Sequence, residues 1–405
     1  MSFQRLTASV SFAVLAGAVL SQPAWAATPQ EVADALVALL DTADADLTYD
    51  MPVVTGGEVT ISNISARAAG GDEGEAEIGR LTLVGGDLVD GNIVADVLRM
   101  ENTRFSGEGS RVSIDALTVN GLRIPQDPDT AAPPSMANIP THVEATGISI
   151  ETEDEPAVTM TDFTVDFSGT ETSDEVRFAM AMNGLTVSDL QDLAALDEDD
   201  SARYLVGLGY DQLSFNFATE ASWTRSTGEL AIENLTVEAP GLGSLSASLT
   251  LGGITEDLMN LASGDSMEAA AFAAASVITL DDFELRFEDD SITRRILEQV
   301  ATERKVPVED LVQQLVAAIP ALMLDVENPP LREALGGALA TFIQNPQSFA
   351  IRFDPPEALP LLQLYVGGST DPEQLLRQLG LTISANGTTF ETGAGPGSAG
   401  PAPGK

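Results

Sequence analysis

The stretch "SIDALTVNGLRIP", residues 113–125, places Ile114, Leu117, Val119, Leu122 and Ile124 at spacings of three, two, three and two. Plain alternation would mark a half-buried strand, because successive side chains point to opposite faces. One extra residue at intervals keeps the apolar set on one face only if the strand kinks there, as at a β-bulge. The form apolar-x-x-apolar-x-apolar recurs at Ile61-Ile64-Ala66, Ile78-Leu81-Leu83, Met160-Phe163-Val165, Tyr210-Leu213-Phe215, Ile232-Leu235-Val237 and Leu280-Phe283-Leu285. Asn63, Asp162, Asn234 and Asp282 precede the middle apolar position in four of these cases, and such residues bond their own backbone in kinked conformations. The repeats keep no fixed period, which predicts a meander of uneven hairpins and not a solenoid or propeller. "GEVTISNISARA", "AEIGRLTLVGGDL" and "ATGISIETEDE" alternate apolar with polar residues, so one face of the sheet is covered and the other is wet.

Helical patterns cluster at the start and in the last third. "TPQEVADALVALLDTA" opens with Thr28 as N-cap and Pro29 in the first turn, with Val32, Leu36, Leu39 and Leu40 on one face. Residues 255–275 form a second helical region. After residue 290 come stripes at Ile292, Ile296, Leu297 and Val300, then Val308, Leu311, Val312, Leu315, Val316 and Ile319, then Leu331, Leu335, Leu339 and Phe342. Strands "FAIRF" and "LTISA" follow, with the helix "DPEQLLRQL" between them. The expected fold class is α+β: a long, curved, mostly antiparallel sheet of bent strands, with C-terminal helices packed over part of it.

The first 26 residues read as a secretory signal: Arg5, an apolar run from Leu6 to Leu20, and the small-x-small site Ala24-Trp25-Ala26. The expected organisation is then a signal peptide over 1–26, a helix and β-meander over 27–124, and a Pro-rich connector over 125–140. A β-rich continuation of the sheet over 141–288, a helical region with short strands over 289–386 and a disordered Gly/Pro-rich tail over 387–405 complete it. Later apolar stretches such as 269–280 and 311–324 are too short to span a bilayer, so no membrane span is expected after cleavage. The formal charge of −43 repels phosphate backbones and anionic headgroups at long range, which argues against nucleic-acid binding. With no Cys there are no disulfides, so stability must come from apolar burial.

The runs "EVADALVALL…LTYD…GEVTISNIS…IGRLTLVGG" and "ITRRILEQVATERKVPVEDLVQQLVAAIPAL…LREALGGALATFIQNPQSFAIRFDPP…PLLQLYV…LLRQLGLTISAN" resemble a family of exported Gram-negative bacterial proteins with no assigned function. The strand rhythm is also distantly similar to AsmA-like envelope proteins, whose curved sheets are associated with lipid handling. The resemblance implies a periplasmic or secreted location and carries no functional residue over.

Catalytic and metal motifs are absent from the sequence. His142 is the lone imidazole, so His-rich and Cys-based zinc sites are excluded. There is no G-x-S-x-G elbow; "GDSME" (264–268) ends in Glu. The acidic clusters "DTADADLTYD" (41–50) and "LDEDDS" (196–201) do not have EF-hand spacing, and solvated loops explain them better than calcium does. The expected function is therefore non-catalytic and without cofactor: binding of an apolar ligand such as lipid in a groove of the curved sheet, lined by Leu117, Phe163, Phe215 and Leu235. The alternative is a structural or protein-interaction role in the periplasm, with no partner named by the sequence. A carboxylate-based hydrolase stands third.

Overall fold

The computed structural model describes residues 27–41, 45–68, 74–89, 91–107, 109–125, 139–153, 156–170, 172–196, 201–258, 274–370 and 372–392. The expected signal segment, most of the Pro-rich connector, residues 259–273 of the second helical region and residues 393–405 of the expected tail lie outside the described residues, while the start of that tail, Thr388–Glu391, is a strand. The chain divides into two compact units between Thr172 and Ser173.

The first unit contains α1 (Pro29–Asp41), β1 (Ala45–Thr48), β2 (Val53–Thr55), β3 (Glu58–Ala68), β4 (Glu75–Val84), β5 (Asp87–Val89), β6 (Asn92–Gly107), β7 (Ser110–Pro125), β8 (His142–Thr152) and β9 (Val158–Ser168). The long strands pair antiparallel in the order β3-β4-β6-β7-β8-β9. Because β7 pairs directly with β8, from Ser110↔Thr152 to Asn120↔His142, the sheet runs through the Pro-rich stretch without a break.

The kinks of this unit differ from the bulges expected. The register does not shift at them. Ser62↔Arg80 and Ile64↔Ile78 pair, while Asn63 and Gly79 between them do not. The same gap recurs at Asn102 and Asp115, then at Asp115 and Gly147, then at Gly147 and Thr161. Every strand carries its extra residue at the same level, so no strand gains on its neighbour and the sheet is creased along one line. Asn63, Asn102 and Gly147, on alternate strands, take the left-handed backbone with φ of 53°, 53° and 62°. A second crease passes through Gly85, Asp96 and Gly121, which explains the second three-residue spacing of the opening stretch.

The second unit contains β10 (Glu175–Val187), α2 (Leu190–Leu196), α3 (Ser201–Gly207), β11 (Leu213–Thr224), β12 (Glu229–Ala239), β13 (Gly243–Gly252), β14 (Thr279–Asp289), α4 (Ile292–Arg304), α5 (Val308–Leu322), α6 (Pro329–Gln344), β15 (Ser348–Phe353), β16 (Leu359–Pro360), α7 (Leu361–Thr370), α8 (Pro372–Leu379), β17 (Thr382–Ala385) and β18 (Thr388–Glu391). Antiparallel pairing runs β10-β11-β12-β13-β14-β15-β17-β18, with β16 also on β14. Here the extra residues do shift the register, on β10 near Gly184, on β12 between Ile232 and Leu235, and on β14 at Asp281. Strands β11 and β13 run straight between them. The template at Tyr210-Leu213-Phe215 is not a kinked strand: Tyr210 precedes β11, packs with Leu190 and Leu208, and its hydroxyl meets the Ser291 hydroxyl at 3.0 Å.

Each unit has a helix against one end of its sheet. In the first, Val32, Ala33 and Leu36 of α1 bury against Val59, Ile61 and Leu83. A capping box holds the helix start: the Thr28 backbone N–H donates to Glu31 Oε2 at 2.7 Å, and the Glu31 N–H donates to Thr28 Oγ1 at 3.3 Å. In the second, α6 packs on β15, β17 and β18 through Ala334 and Ala338, with the larger Leu331, Leu335 and Phe342 around them. Leu331, Leu335 and Phe342 of the expected stripe therefore take part in this contact, with the small residues at its centre. A Cβ on Gly337 would stand only 2.8 Å from Phe390 Cε1, so small side chains set the close approach of this helix. Helices α4 and α5 pack against each other through Leu297, Ala301 and Leu311.

Candidate functional site

The creases and bulges keep apolar residues in rows that cross the strands on one face. In the first unit, Ile61, Leu81, Met100, Leu117, Ala145 and Phe163 lie opposite one another in sequence across six strands. A second row is Val59, Leu83, Leu98, Val119, Val143 and Val165. Helix α1 packs over the β3–β6 part of these rows, and beyond it Val119 and Ala145 are still buried. Its cluster takes in Met100 and Leu98 but neither Leu117 nor Phe163, which are half-buried.

The second unit repeats this arrangement. One row is Phe217, Val237, Leu245, Phe287, Phe349 and Ala385. Ala385 beneath α6 is 0% exposed, whereas Val237 and Leu245 are 37% and 44% exposed. Phe178 on β10 is likewise open to solvent. Leu235 lies in the adjoining row, between Thr219 and Ala247, and Phe215 lies opposite Leu185; both are half-buried. The structure therefore joins Leu117 to Phe163 through Ala145. It places Phe215 and Leu235 on neighbouring strands of the other unit.

The rows named above contain no charged side chain. The opposite face of the sheet is polar and acidic: on β14, Asp282, Glu284, Arg286 and Glu288 alternate with Phe283, Leu285 and Phe287. His142 belongs to that polar face. Its Nδ1 lies 2.7 Å from Asp166 Oδ1 across the β8–β9 pair, a local cross-strand contact. Among the described residues no group of three His, Cys, Asp or Glu side chains is placed to hold a metal ion. The acidic clusters at 41–50 and 196–201 lie partly outside the described residues. Among the described residues, no helix is long and apolar enough to cross a membrane.

Sequence reading missed a separate pocket of about 480 Å³ in the second unit, lined by residues of α7 and α8 together with Ser276 and Pro360. Its polar lining includes Gln363, Gln374 and Gln378, and glutamines spaced along short amphipathic helices give no signal that distinguishes them from an ordinary wet face.

The fold and this face define an α+β protein with an open, antiparallel, one-sidedly apolar sheet. A family model described as "Uncharacterized protein" matches residues 236–386, from the middle of β12 to just beyond β17. Over that segment the chain is similar to an uncharacterised protein family. No curated protein matches the chain.

Proposed function

We propose that this is a non-catalytic exported protein of the bacterial envelope that binds an acyl-chain ligand on the apolar face of its sheet that the described helices leave open. The observation that carries this reading is the gradient along one row, from Ala385 sealed under α6 to Leu245 open on β13. A sheet that serves only as a core covers its apolar rows along their whole length; contiguous exposed apolar surface marks a binding face. The four strands β10–β13, at the usual interstrand spacing, span about 15 Å. That is about the length of one acyl chain, half the roughly 30 Å hydrocarbon core of a bilayer. The absence of charge in the rows favours an uncharged chain, and the acidic surface disfavours anionic partners. Export rests on the signal-like residues 1–26. Mass spectrometry of organic extracts from natively purified protein tests the reading: acyl lipid recovered near equimolar supports it, and a lipid-free extract favours the structural or protein-interaction role.

A further inference from the structure

We infer that the turn joining α5 to α6 is a contact point for the surface of a zwitterionic lipid bilayer, an inference that stands apart from the acyl-chain reading. Residues 311–324 carry no charge. The outer side of α5 loses polarity along its length, from Glu309 and Asp310 through Gln313 and Gln314 to Ala318 and Ala321. Leu322 at the helix end and Leu324 just beyond it are each 68% exposed, more than Leu245 on the open sheet face at 44%. The backbone around them is braced. The Met323 N–H donates to the Ile319 carbonyl at 3.0 Å and the Val326 N–H to the Met323 carbonyl at 3.1 Å. Arg332 Nε and Nη2 donate to the Val326 carbonyl at 2.9 and 2.6 Å, and Asn328 Oδ1 caps α6 by accepting from the Leu331 N–H at 2.8 Å. The turn therefore holds both leucines out in water, and apolar side chains fixed in that way mark a contact with an apolar phase. Their chemistry selects the phase. The projecting side chains are aliphatic, without the Trp, Tyr and Arg that anchor protein interfaces. Asp325 and Glu327, exposed beside the leucines, and the negative end of the α5 dipole repel anionic headgroups. The same charges face favourably the ammonium of a choline or ethanolamine headgroup, while the leucines enter the acyl boundary beneath it.

The test is flotation of the full chain with vesicles of phosphatidylcholine and phosphatidylethanolamine, and with the same vesicles carrying added phosphatidylglycerol. The protein is expected to float with the zwitterionic vesicles. Added phosphatidylglycerol should lower the bound fraction about threefold at low salt, and salt should restore it. Leu322→Asp combined with Leu324→Asp should lower partitioning about tenfold. Both residues are exposed, so the melting temperature should stay that of the parent. Leu245→Asp, on the open sheet face, should float as the parent does. Unchanged flotation of the double variant overturns the inference, and so does flotation lost in Leu245→Asp instead, which would assign vesicle binding to the sheet face. No binding to either vesicle overturns it too, and a dimer abolished by the double variant would assign the leucines to a second copy of the chain. None of these outcomes alters the lipid content of the purified protein, on which the acyl-chain reading depends.

Discussion

The carboxylate of Asp115 lies over Gly147 across the β7–β8 crease, where a Cβ built on the glycine would stand 2.5 Å from Asp115 Cγ. Gly85 and Asp96 repeat the arrangement at the second crease, with the corresponding separation 2.6 Å. Both glycines have left-handed backbone, so each crease pairs a residue free to bend with an acid folded over it. Gly147→Ala would combine left-handed strain with overpacking and should cost about 2–4 kcal/mol. Urea unfolding checks this, and adding Asp115→Ala should recover the contact share but not the backbone share. A Gly147→Ala protein as stable as the parent would show that the crease is not a constrained feature.

Asn386 makes a stronger local claim. With φ of 52° it turns β17 into β18; its Nδ2 donates to the carbonyls of Thr341 and Asn345, and its Oδ1 accepts from the Ser348 N–H. Asn386→Ala loses these bonds and the turn preference together and should cost about 2–4 kcal/mol. Asn386→Gly keeps the turn and should fall between the two in a thermal melt; equal losses for both variants would assign the whole effect to the side-chain bonds.

Removal of Leu311, 0% exposed in the α4–α5 cluster, leaves a cavity. Leu311→Ala should destabilise by about 2–5 kcal/mol. Leu245→Ser, on the open face, should change stability by less than about 0.5 kcal/mol. Comparable losses at both positions would mean that the β13 face is a closed core.

The α1 cap responds to acid. The hydrogen bonds from the Thr28 N–H and then from its hydroxyl hold the Glu31 carboxyl below its ordinary 4.5. A carboxyl lowered on folding contributes stability that is present above the ordinary value and is lost as pH falls through the folded one. Amide exchange in α1 should therefore accelerate as pH drops below about 4.5, beyond the intrinsic trend, and Glu31→Gln should flatten that excess. An identical profile in the variant would detach the cap from Glu31.

The kinked strands were legible in the sequence because one extra residue between apolar positions leaves a visible spacing. Whether each kink is a bulge or a crease was not. Asn63 and Gly79 form a crease only because they fall at the same level on neighbouring strands, and that depends on the pairing of whole strands. Tyr210 matched the spacing by serving a different cluster, since an apolar periodicity records burial and not the element that provides it. On α6 the stripe of Leu331, Leu335 and Phe342 marked the contact but not its centre, because close helix–sheet packing there selects Ala334, Gly337 and Ala338, which carry little apolar signal. The four groove residues fall on the apolar faces, but the division between units that separates Leu117 and Phe163 from Phe215 and Leu235 leaves no mark in strand periodicity.

The central claim is that the rows open at Val237 and Leu245 are covered by an acyl chain. Mass spectrometry of organic extracts from the natively purified protein, quantified against protein, tests it most directly. The account predicts about one acyl-chain lipid per protein, reduced severalfold in a Leu245→Asp variant of unchanged fold. An extract with no lipid above the level of an unrelated protein purified alongside, or the same lipid load in Leu245→Asp, would contradict it.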